Sequence, residues 1–166
     1  MDIERGLQRL DRIAGGRLAG RRVPLPLDAK LRHAFRAVTW LLAACLALGV
    51  ATVVTASVLA ASGAEVTFAV WMRCLVVLGI TATLFYFLAR ARRGWYWALR
   101  RLQLFSRIFP VVALALAAIP GLYPLWVIGE QILFAVVLIG VSDYLHTDAI
   151  RRAFPKPTAR AELVTP

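Results

Sequence analysis

Apolar residues fall in long runs along this chain, and polar residues gather between the runs. Residues 38–61 form 24 consecutive positions without a charged side chain. As a helix rising 1.5 Å per residue, such a run covers about 36 Å, enough to cross a hydrocarbon core of about 30 Å with some tilt. Residues 66–89 form a second run, interrupted only by Arg73. Residues 124–145 form another, carrying Glu130, Gln131 and, near its end, Asp143. The stretch between is the least regular. Residues 108–123 are uncharged, with Pro110 near their start and Pro120-Gly121 near their end. Counting back to Leu102 gives a helix of about 27 Å over 102–119, provided that Arg107 extends its guanidinium to the headgroups. The pattern therefore predicts an all-α membrane protein. Its four transmembrane helices form two hairpins over 38–61, 66–89, 102–119 and 124–145.

The flanks read differently. In residues 1–16, Ile3, Leu7, Leu10 and Ala14 recur at three- and four-residue spacing, which predicts a short amphipathic helix. Residues 17–37 form a basic linker and lead-in. Gly20, Pro24 and Pro26 favour extended chain, Asp28 suits a helix N-cap, and Leu31, Phe35 and Val38 carry helical spacing into the first span. Residues 146–166 form a basic tail whose prolines argue against stable structure toward its end.

Charge orients this arrangement. The chain has 166 residues, is 60% hydrophobic and carries a net charge of +11. Of its 20 basic residues, only Arg73 lies deep within a predicted span, Arg107 standing near the start of the third. The others fall in residues 1–36, in the central segment 90–107, or in the tail. The turns around 62–65 and 119–124 contain no lysine or arginine. The positive-inside rule then places both termini and the central segment in the cytoplasm, and the expected location is a bacterial plasma membrane. Anionic headgroups at the cytoplasmic face are the natural partner of such a surface. No nucleic-acid-binding motif accompanies the charge, so nucleic acid is not the expected partner.

Candidate chemistry is sparse. Arg73 lies seven residues past Val66 and Glu130 six past Pro124, about 10.5 and 9 Å from the outer ends of their helices. Charges within spans face a bundle interior, a cavity or each other. Their common depth predicts an intramembrane pair between the second and fourth spans. Its structural reading is a packing lock, and its functional reading is a polar site for a proton, ion or solute. Gln131 points about 100° away from Glu130 and suits an interhelical hydrogen bond. Asp143 and His146 share a helix face and read as a solvated helix end. Small residues recur every four positions at Ala43, Ala47, Ala51 and Thr55, and again at Ala113, Ala117 and Gly121. Such stripes suit close helix contact within the bundle or with another subunit. Arg90, Arg92, Arg93, Trp95, Tyr96, Trp97, Arg100, Arg101 and Arg107 make up a candidate surface for lipid or a partner.

Cys45 and Cys74 sit in apolar runs with no metal-ligand spacing, and no phosphate loop or nucleophile–base motif is present. No cofactor is implied. The expected function is that of an accessory or regulatory membrane subunit with a basic cytoplasmic face, associated with a membrane-protein partner or with copies of itself. The alternatives are a small oligomeric transporter or channel using Glu130 and Arg73, and a lipid-modifying membrane enzyme.

Overall fold

Residues 22–24 and 28–155 are described by the computed structural model. The amphipathic helix expected in residues 1–16, and the tail beyond residue 155, lie outside this range. The described chain is all-helical, with α1 at Ala29–Ala61, α2 at Phe68–Ala91, α3 at Tyr96–Ala117, α4 at Leu125–Leu145 and a short α5 at Asp148–Ala153.

Lead-in and first span are one helix. Asp28 is its N-cap, its side chain accepting from the Lys30 amide at 3.2 Å. No proline or glycine pair interrupts the 33 residues that follow, so the helix runs on for about 50 Å. Hydroxyls inside the helices turn inward on the backbone: Thr52 donates to the Leu48 carbonyl at 2.9 Å and Thr81 to the Val77 carbonyl at 2.8 Å. A hydroxyl without water nearby satisfies itself locally in this way.

Successive long helices pack on one another, and α1 also packs on α4, which closes the bundle. A large core gathers Phe35, Leu42, Leu84, Phe87, Trp97, Leu102, Leu138 and Leu145, and a smaller one gathers Ala56, Val70, Cys74 and Val127 toward the other end. Aromatic rings join α2 to α3. Phe87 meets the edge of Trp97 at 6.1 Å and stacks on Phe105 at 5.6 Å, and Phe105 stacks on Phe109 at 5.2 Å. Offset and edge-on pairs of this kind add about 0.5–1.5 kcal/mol each beyond area burial.

Three helices, α1, α2 and α4, are long and apolar enough to cross a membrane. Within their most apolar windows only 28%, 33% and 33% of the residues are buried. The remainder is an outward surface that includes Trp40, Phe68, Leu75 and Leu125. Soluble monomers rarely show apolar patches beyond a few hundred Å², whereas acyl chains accept this surface directly.

The helix expected at 102–119 differs. α3 starts at Tyr96, six residues earlier, because the part of the central segment after the Gly94 turn is helical and continuous with it. It thereby takes in Arg100 and Arg101 besides Arg107, and it is not among the helices apolar enough to span. Pro110 lies inside the helix, buried, where it cannot donate to the Ser106 carbonyl. Beyond Arg107 the outward face is apolar, with Ile108, Val111, Val112 and Leu114 exposed.

The expected small-residue seam on α1 also differs. Ala47, Ala51 and Thr55 face outward and Ala43 is half-buried. The small residues that pack inward are Cys45, Gly49, Thr52 and Ala56. A Cβ on Gly49 would stand 3.2 Å from Leu78 Cδ2, so the close approach is to α2. Helical spacing of three and four residues fits both sets, and burial selects the one that continues the Phe35–Val38–Leu42 face.

The α2–α3 elbow turns on Gly94, at φ +85°. Its carbonyl accepts from the Val23 amide at 2.9 Å, and a Cβ there would meet the Val23 carbonyl oxygen at 2.4 Å. Arg22 bridges to Trp95 and lays its guanidinium 4.2 Å from that ring's centroid. The linker is thereby pinned to the elbow. Gly94→Ala loses the left-handed conformation, worth about 1–2 kcal/mol, and clashes with Val23. It is expected to lower the unfolding temperature in detergent and to speed tryptic cleavage after Arg22.

Candidate functional site

Two regions concentrate polar side chains, and they lie toward opposite ends of the bundle.

The first is the pair anticipated from helix depth. Arg73 is five residues past Phe68 in α2, and Glu130 five past Leu125 in α4. Arg73 Nη2 donates to Glu130 Oε2, and both side chains are more than nine-tenths buried. The Arg73 guanidinium also lies 5.9 Å from the Tyr123 ring centroid, over a π face that attracts cations. Val70, Cys74 and Val127 form the nearby apolar packing. Three polar atoms are buried here without a hydrogen-bond partner among the described residues: Arg73 Nη1, Glu130 Oε1 and Gln131 Oε1.

Gln131, one position on, serves another contact. Its Nε2 donates to the Ala113 carbonyl of α3 at 2.6 Å. Gln103 does the same at the other end, from α3 to the Leu145 carbonyl at 2.9 Å. Two carboxamides thus bind α3 to α4 near both ends of their contact. The Gln103 bond satisfies a last-turn carbonyl that a helix leaves without an internal partner.

The second region is the arginine-rich end. The structure divides the nine surface candidates. Arg92, Arg93, Arg100 and Arg107 are exposed, while Arg90 and Arg101 are half-buried. Arg90 lies 5.6 Å from the Tyr86 ring centroid and Arg101 5.9 Å from that of Trp97. Tyr96 and Trp97 are buried, which removes them from any exposed surface. Phe154, just past α5, meets Tyr96 at 6.5 Å, while Trp97 packs on Phe87 of α2. Trp95 is half-buried beneath Arg22.

Asp143 and His146 do not form an ion pair. Asp143 is exposed, and the His146 ring donates from Nδ1 to the Ser142 carbonyl at 2.6 Å. The sequence reading missed α5. Its signals are modest: Thr147 before Asp148 suits a helix start, and Ile150, Ala153 and Phe154 repeat at three- and four-residue spacing. All three are buried. Gln103 and Tyr123 carried no signal at all, since their roles come from helices that only the fold brings close.

Removing one partner of a buried ion pair strands the other, a loss of about 3–5 kcal/mol. Arg73→Ala and Glu130→Ala should each lower stability by that order, measured by unfolding in detergent. Exchanging the charges, with Arg73→Glu and Glu130→Arg together, should recover most of the loss. Single variants as stable as the parent would mean that the contact contributes nothing.

No protein-family model, curated protein or solved structure matches this chain.

Proposed function

We propose that this protein is an accessory or regulatory subunit embedded in a bilayer, with a basic cytoplasmic end that binds anionic lipid or a partner. In this reading all four long helices cross or enter the membrane as two hairpins, α3 with Arg107 at the headgroups. Both termini lie in the cytoplasm, and the membrane is a bacterial plasma membrane. The absence of lysine and arginine from 62–67 and 118–124, against their abundance at 90–107 and 151–156, supports this orientation.

One observation carries the functional reading. The opposite charges set deep within the apolar spans, Arg73 of α2 and Glu130 of α4, are spent on each other in a buried contact. Among the described residues, the grooves at α3–α5 and beside Arg22 are lined by basic residues and not by Arg73 or Glu130. A pair closed in this way fixes the register of α2 against α4 and suits a scaffold. A small transporter or channel is the second reading. It is favoured by the unpartnered Arg73 Nη1, Glu130 Oε1 and Gln131 Oε1, which a solute or water file would satisfy. The lipid-modifying enzyme ranks last, because no nucleophile and base converge among the described residues.

Two measurements test the proposal. Affinity capture of the full chain in mild detergent should recover a membrane-protein partner at fixed stoichiometry. No partner, together with Glu130-dependent ion or proton flux in proteoliposomes, would replace the subunit reading with transport. For topology, a cysteine placed at Ser62 should react with a membrane-impermeant maleimide outside intact cells, and one at Arg92 only after permeabilisation. The reverse pattern would invert the assignment.

A further inference from the structure

A groove of about 840 Å³ opens where the start of α3 faces α5. One wall is a single face of α3, bearing Arg100, Gln103 and Arg107 at spacings of three and four. The facing wall carries Arg151 and Arg152 of α5, and His146 closes the base. One acid, Asp148, shares the lining and lies 3.9 Å from Arg151. The excess is three positive charges. The apolar floor includes Tyr96 and Phe154, both buried.

Several of these groups are held in place. The Gln103 amide is fixed on the Leu145 carbonyl and the His146 ring on the Ser142 carbonyl. Arg100, Arg107 and Arg152 form no ion pair among the described residues, so their guanidinium donors remain for an outside acceptor. Guanidinium forks match phosphate oxygens and bind them with charge-assisted hydrogen bonds.

The surroundings narrow the ligand. Leu104 lies between Arg100 and Arg107 on this side of α3, and past Arg107 the outward surface continues as Ile108 and Val111, all three exposed. At i, i+4, i+8 and i+11 from Arg100 these residues share one side of the helix. A molecule with its phosphate among the arginines would therefore lay an apolar tail along α3. A free phosphate or nucleotide has no use for that strip. We infer that the groove between α3 and α5 is a specific site for the headgroup of an anionic phospholipid, whose acyl chains lie against Ile108 and Val111. This deepens the reading of the basic end as lipid-binding, and it rests on that reading but not on any protein partner.

The test uses the full chain purified in detergent, with dioleoylphosphatidylglycerol as the probe, dioleoylphosphatidylcholine as the neutral lipid and inorganic phosphate as the tailless anion. Native mass spectrometry counts retained lipid, and thermal unfolding reports binding. Phosphatidylglycerol should be retained at a fixed low stoichiometry and raise the unfolding temperature, phosphatidylcholine should not, and inorganic phosphate should not displace the lipid. Arg100→Gln with Arg107→Gln should weaken retention about tenfold or more, the loss expected for removing hydrogen bonds to a charged group. Arg151→Gln with Arg152→Gln, on exposed positions of α5, should act alike and guards against misfolding of the first variant. Arg92→Gln with Arg93→Gln removes the same charge outside the groove and should leave retention unchanged. Equal losses from all three pairs would overturn the specific site while leaving a diffuse basic surface. Displacement by inorganic phosphate would assign the groove to a soluble anion instead. No preference for phosphatidylglycerol in any form would remove the lipid-binding reading of this end altogether.

Discussion

An apolar exterior offers no hydrogen bonds, and the rest of this structure follows from that constraint. Where the outward surface is valine, leucine and phenylalanine, every backbone group behind it must find a partner inside the chain. Helices meet that demand residue by residue. Side chains meet what is left over: threonine and serine hydroxyls fold back on the preceding turn, Gln131 and Gln103 reach carbonyls of the neighbouring helix, and Arg73 and Glu130 take each other. Helix burial alone contributes little against acyl chains, which are as apolar as leucine. Packing and these few polar contacts therefore decide which helix faces which.

Much of this was legible in the sequence, for a physical reason. Length and apolarity of a membrane helix are local properties, so the runs at 38–61, 66–89 and 124–145 correspond closely to α1, α2 and α4. The Arg73–Glu130 contact was legible as well, because depth along a helix can be counted once the ends are set by turns. What failed depended on tertiary choice. Tyr96 and Trp97 have the composition of an interfacial belt, yet Phe154 packs on the first and Phe87 of α2 on the second, and both are buried. Ala47 and Ala51 have the spacing of a seam, yet Gly49 and Thr52 occupy it. A periodic stripe shows that a face exists, and only the neighbouring helices decide whether it is used. Tertiary context also lies behind α5, a six-residue helix that would be marginal alone and is held by Ile150, Ala153 and Phe154 against the core.

The two polar regions differ in kind. Near Glu130 the charges are balanced and enclosed, and their surroundings reward a fixed geometry. At the opposite end the charges are in excess and open to solvent, and their surroundings reward exchangeable ligands. Gln103 joins these behaviours, since the amide that ties α3 to the end of α4 also lines the basic groove. The lining of the groove and the packing of α3 on α4 therefore share a side chain.

The unequal greasiness of the helices has a further effect. The apolar part of α3 past Arg107 is ten residues, about 15 Å, while the apolar part of α1 is 24 residues, about 36 Å. A bilayer surrounding such a body meets a tall hydrophobic wall on one side and a short one on the other. If α3 enters the bilayer as proposed, the leaflet beside it must thin, or Arg107 must reach upward through it, and either distortion grows with the native thickness of the membrane. Two copies placed with their short walls together would share a single dimple instead of making two, so membrane elasticity by itself would draw the α3 sides toward each other or toward any neighbour that is short in the same place.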